Sequence, residues 1–156
     1  MNLIKKIEIE LLEEIKKIEF DFNFKFINGW LVEKELKDRI NNKGKKSDNI
    51  PFILIRPLRS IQKYKDGVGK RKQDYLIRIV IKDENENGYY KLLDQQEKII
   101  GYLTENNVGK TYNLNLKIET EMNESLNTGD YWASDIIVTS YIPIVEVQRR
   151  TNPLLD

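Results

Sequence analysis

Between Asp74 and Leu103 the hydrophobic period changes once, and that change narrows what the chain can fold into. In DYLIRIVIKDE, Tyr75, Ile77, Ile79 and Ile81 share one face and Leu76, Arg78, Val80 and Lys82 the other, the period of two of a strand. After the polar turn NENG, Tyr89, Leu92, Leu93, Ile99, Ile100 and Leu103 recur at helical spacing, leaving Lys91, Asp94, Glu97 and Lys98 toward water. A strand and a helix with facing apolar sides bury each other, so a sheet covered by helices is expected. Neither element carries residues that do chemistry, and function has to be sought at the edges of this unit.

The flanking segments extend the same plan. Residues 2–19 predict an amphipathic helix through Ile4, Ile7, Leu11, Ile15 and Ile18, with Glu13 and Lys17 four apart. Its polar face carries both signs, which favours a core-facing helix over a membrane-surface one. Phe20, Phe22, Phe24 and Phe26 alternate with Asp21, Asn23 and Lys25 as a strand that ends at Asn28-Gly29, and one basic residue is too few for a base-stacking platform. Trp30, Leu31, Leu36 and Ile40 suggest a short helix before the polar run NNKGKKSDN. Ile50 to Ile55 is apolar on both faces, as in a central strand, with Pro51 at its start. Asn106-Asn107 and Gly109 stop the second helix, Tyr112 to Ile118 alternate as a third strand of the main sheet, ETEMNESLNTGD reads as an exposed acidic turn, and Tyr131 to Val147 as a long strand marked by Pro143.

The expected fold class is therefore α+β: a mainly antiparallel sheet of four or five strands, two main helices, and a long basic β-loop. At 156 residues the chain is expected to form one domain, with an N-terminal helix and variable segment at 1–49, a core unit at 50–147 and a tail at 148–156.

Chemistry is constrained mainly by what the chain omits. It contains no cysteine and no histidine, which removes disulfides, Cys/His zinc sites, thiol nucleophiles and histidine-based triads. Gly109-Lys110-Thr111 has the ending of a phosphate-binding loop, but Thr104 stands where the first glycine belongs and the triplet follows a helix instead of opening one. Asp83, Glu84 and Glu86, and Glu119 with Glu121, lack the arrangement of a metal nuclease, a lysine beside its acids on a strand within one pocket. No cofactor, no metal and no catalytic role is expected. Glu8, Glu10, Glu13 and Glu14 interrupt any signal-peptide core, and no apolar run approaches the roughly 20 residues that span a bilayer, so a soluble protein with no membrane partner is expected.

With 26 Lys+Arg against 25 Asp+Glu, whole-chain charge gives no reason to expect a nucleic-acid or membrane partner, and any such partner would need a local patch. One segment departs from that balance: Arg56 to Lys72 carries seven basic residues and one acid, a net charge of +6, around an Asp66-Gly67 hairpin turn. Contact with a nucleic-acid backbone, contact with an acidic protein surface, and a solvated loop all fit it. The candidate contacts are Arg59, Lys63, Lys65, Lys70, Arg71 and Lys72 on this segment, Glu84, Glu86, Glu121 and Glu124 in the acidic turns, and Arg149 and Arg150 near the end of the chain.

The order of elements adds a resemblance. An amphipathic helix, IPFILIRP, a charged loop, the strand and Ile-rich helix joined through Gly88-Tyr89, an alternating strand, an acidic loop and a last strand opening with DYWASDIIVTSYI together resemble the tail terminator (tail completion) proteins of long-tailed bacteriophages, the gpU-like group. The resemblance runs from about Ile50 to Tyr141. It implies a non-enzymatic virion protein of the tail, assembled in the bacterial host cytoplasm. Such a protein forms a homo-hexameric ring, caps the tail tube protein, ends its polymerisation and meets the head connector or head-closure protein. The alternatives are a nucleic-acid-binding regulator that uses the basic segment 56–72, and another neck component; sequence-specific nucleic-acid binding is not expected of the tail protein.

Overall fold

The computed structural model describes residues 1–29, 50–124, 127 and 130–144. They form a five-stranded mixed sheet and two helices, an α+β fold. The elements are α1 (Leu3–Ile15), β1 (Lys25–Asn28), β2 (Phe52–Lys65), β3 (Val68–Lys82), α2 (Gly88–Glu105), β4 (Glu119–Met122) and β5 (Tyr131–Ile142). The strand order is β1-β2-β3-β5-β4, with β1 parallel to β2 and the other three pairings antiparallel.

The period change at residues 74–103 is realised as expected. Tyr75, Ile77, Ile79 and Ile81 of β3 face Leu92, Ile99 and Leu103 of α2 and Ile7, Leu11, Leu12 and Ile15 of α1 in the main core. Ile53 and Ile55 of β2 and Ile136 and Val138 of β5 complete that face. On the opposite face Phe52, Leu54, Val80 and Ala133 make a smaller cluster, beside Arg78, whose guanidinium donates to both Asp135 carboxylate oxygens at 2.7 and 3.0 Å. β2 is buried on both sides from Phe52 to Ile55, whereas β5, which ends at Ile142 before Pro143 and not at Val147, buries Ile136 and Val138 and leaves Ile137 half-buried.

Local chemistry sets the boundaries. The Asn2 side chain caps α1 by accepting from the Lys5 N–H at 2.9 Å. Its ion pairs are Lys5–Glu8, Lys16–Glu13 and Lys17–Glu14, three apart, in place of the expected Glu13–Lys17 spacing. Gly88 opens α2 directly beneath Trp132, where a Cβ would come within 2.5 Å of the indole nitrogen, so only glycine fits. Asp66 (φ 53°) and Gly67 (φ 79°) both lie in the left-handed region, the two-residue turn that matches the twist of a hairpin. Pro57, lacking an N–H, sits where the β2–β3 register slips.

Three expectations are corrected. The Phe20–Phe26 strand contracts to β1, because Gln95 of α2 both accepts from the Asp21 N–H and donates to the Asp21 carboxylate, pulling residues 20–24 onto the helix. The phenylalanines still pack on the core, Phe20 against Phe24 edge-to-face at 5.1 Å. Tyr112 to Ile118 is not a strand: the bridge Leu114–Ser140 joins it to β5, the bridge Val108–Asn113 lies within the loop itself, and Leu116 points outward, 66% exposed. The edge strand is instead Glu119–Met122, inside the stretch read as an acidic turn, and Met122 packs on the core. The expected helix around Trp30 to Ile40, the run at 41–49 and residues 145–156, with Arg149 and Arg150, lie outside the described residues.

Candidate functional site

The β2–β3 hairpin outruns the rest of the sheet. β3 pairs with β5 as far as Arg71–Ile142, while β2 and β3 stay paired to Lys65–Val68. Because directly opposed residues share a face, Ile61 and Lys72, Lys63 and Lys70, and Lys65 and Val68 stand together on one side of this arm. They line an open groove of about 590 Å³. Lys63 opposite Lys70 is a like-charge pair that opposes hairpin formation. Ile61 (46% exposed) and Val68 (58%) sit among the lysines, while Tyr64 (53%) lies on the reverse side over Gly69.

The basic candidates divide into two groups. Arg59 is held by Asp74 at 2.6 Å, and that carboxylate, which also accepts from the Thr139 hydroxyl, raises the guanidinium above its ordinary value. Arg71 donates to the Ser60 hydroxyl at 3.0 Å, and Lys72 lies 5.4 Å over the Tyr141 ring. Lys63, Lys65 and Lys70 are exposed and make no ion pair among the described residues.

The acidic candidates gather at the other end of β3, about 45 Å away for a strand of 15 residues. There the Asp83 N–H donates to the Asp130 carbonyl at 2.8 Å, and the Asn123 N–H donates to Ala133, which brings Glu124 to the same end. Asp83 is tied down: hydrogen bonding from Lys91 first, then from the Asn85 N–H, holds its carboxyl below the usual range. Glu84, Glu86 and Glu124 are exposed. So is Tyr90 (57%), whose ring lies 4.2 Å from that of Tyr89. Glu121 lies apart from them, on the edge strand β4 opposite Asp135.

The Gly109-Lys110-Thr111 triplet has a role that the sequence reading missed. Its backbone N–H groups do converge on an anion, and the anion is the chain's own Glu10. Lys110 N–H (3.0 Å), Thr111 N–H (2.8 Å) and the Thr111 hydroxyl (2.8 Å) all donate to that carboxylate. Burial raises the Glu10 carboxyl, and the donors from Thr111, Lys110 and Tyr112 outweigh it, so the group sits below its ordinary value. Burial also pushes the Tyr112 hydroxyl up to about 12, keeping it a donor to the Asn106 carbonyl. The only hint in the sequence is the triplet itself, because its partner lies 100 positions away.

Among the described residues no cluster of three or more acidic, cysteine or histidine side chains could hold a metal ion, and no helix is long and apolar enough to cross a membrane. No protein-family model matches the chain, and no curated protein does.

Proposed function

We propose that this protein is a virion assembly subunit of the tail-terminator type, a ring of copies, six by the resemblance, that caps the tail tube, ends its polymerisation and joins it to the head connector. The observation that carries this reading is the arm. A hairpin that leaves its own sheet and exposes Ile61, Tyr64 and Val68 gains apolar burial against another protein surface. The charge arrangement supports it: the arm lysines Lys63, Lys65 and Lys70 and an acidic end lie at opposite ends of one strand in a chain of net charge +1, which suits head-to-tail contact around a closed circle. The residues proposed to act bind and position; none is assigned catalysis.

The test is capping. Purified protein added to polymerising tube protein should bind tube ends and stop growth, with a ring visible end-on and a mass of several copies. Tubes that lengthen at the same rate with and without it would end this reading. The second reading, a nucleic-acid regulator, draws on the shape of the arm, since the major groove admits a two-stranded ribbon. It requires duplex binding that weakens steeply with salt.

A further inference from the structure

We infer that the lysine face of the arm docks on the acidic end of a second copy of this chain, with Lys63 and Lys70 against Glu84 and Glu86 and with Ile61 and Val68 against Tyr90. This rests on the assembly reading and gives it a joint. Both halves are built from the same two components, free charge of one sign and exposed apolar surface. The arm offers Lys63, Lys65 and Lys70 around Ile61 and Val68, and the acidic end offers Glu84, Glu86 and Glu124 beside Tyr90. A phosphate backbone would satisfy the lysines and leave Ile61 and Val68 in water; a protein surface that is acidic and aromatic covers both. The like-charge pair Lys63–Lys70, unfavourable in the isolated hairpin, is relieved when anionic groups such as carboxylates face it.

The contact has to be made between copies. β3 runs unbroken from the arm to the acidic turn and is paired on both sides for most of its length, so the two patches are held about 45 Å apart within one chain. An arm meeting a distant, different surface is a heterologous contact, which propagates in one direction and closes into a ring when the rotation permits. The carboxylates set register and the apolar residues supply most of the affinity, so association should weaken with salt without vanishing.

The chain has no cysteine, which allows a clean cross-linking test. A Lys65→Cys/Asn87→Cys variant, whose cysteines flank the joint and leave Ile61, Val68 and Tyr90 in place, should on treatment with a short bis-maleimide form a covalent ladder at least about tenfold faster than Lys65→Cys/Leu116→Cys, whose second site is exposed but away from the joint. Lys63→Glu/Lys70→Glu in the same background should slow the ladder on the order of 100-fold, and adding Glu84→Lys/Glu86→Lys should restore it. Equal ladder rates for the two cysteine pairs, or a rate indifferent to charge reversal, would overturn the joint. So would duplex DNA binding that depends on Lys63 and Lys70 in a protein that forms no ladder. Tube capping without a ladder would retain the tail reading and remove this joint, whereas a ladder without capping would do the reverse.

Discussion

Replacing Glu10 by Ala removes the acceptor for three donors and leaves the Lys110 and Thr111 N–H groups facing an empty space beside α1. Each bond is charge-assisted at 2.8 to 3.0 Å but partly open to water, so a contribution of about 1 kcal/mol apiece is appropriate, or ~2–3 kcal/mol for the set. With a urea m-value of ~2 kcal/mol/M for a chain of this size, the unfolding midpoint should fall by ~1–1.5 M. Glu10→Gln, which keeps an acceptor oxygen but not the charge, should fall between parent and Ala. The pH dependence follows from the direction of the Glu10 shift. Its folded value lies below the unfolded one, near ~4.3, so its contribution is fully present above that and is lost as pH falls through the folded value. Parent and Glu10→Ala should therefore differ most at pH 7 and converge in strong acid. A variant that unfolds within ~0.3 M urea of the parent at pH 7 would refute the claim that this carboxylate joins α1 to the loop after α2.

Ile99→Asp places an unpaired charge at a fully buried position between α2 and the sheet and should cost more than ~4 kcal/mol, read as loss of soluble, cooperatively melting protein; Glu97→Gln on the exposed side is the control. Asp135→Ala strips the Arg78 guanidinium of its bidentate partner on the second face of the sheet and should destabilise by ~3–5 kcal/mol in chemical denaturation, whereas the paired change Arg78→Met/Asp135→Leu should recover much of that loss.

Periodicity showed the parts of the fold that are governed by it. α1, α2, β3 and the apolar starts of β2 and β5 bury one or both faces against the common core, so their burden of apolar residues is repeated at the spacing of the element itself. It misled where a single distant bond decides the path of the chain. Phe20 to Phe24 alternates like a strand, yet Gln95, which nothing in the local pattern distinguishes, captures Asp21. Tyr112 to Ile118 alternates too, but Tyr112 accepts the Gly109 N–H through its carbonyl and bends the chain, which meets β5 at one bridge, Leu114–Ser140, and pairs continuously only from Glu119. At the candidate surfaces, charge was legible and its engagement was not. Arg59, Arg71 and Lys72 have partners fixed by strand register, which brings Asp74, Ser60 and Tyr141 beside them, whereas Lys63, Lys65 and Lys70 lie beyond the last β5 residue that could serve.

The central place of β3 also sets the entropy of closing the sheet. Its pairing with β2 closes a two-residue turn at Asp66-Gly67, while its pairing with β5 must first close a loop of about 50 residues that contains α2 and β4, a difference of ~3 kcal/mol in loop entropy. The hairpin that carries the arm is thus the least demanding long-strand contact to form, on the scale of ~1–10 μs for such ribbons. The β3–β5 ladder is the step with high contact order, and it gains its reward only when α2 has folded onto the same face.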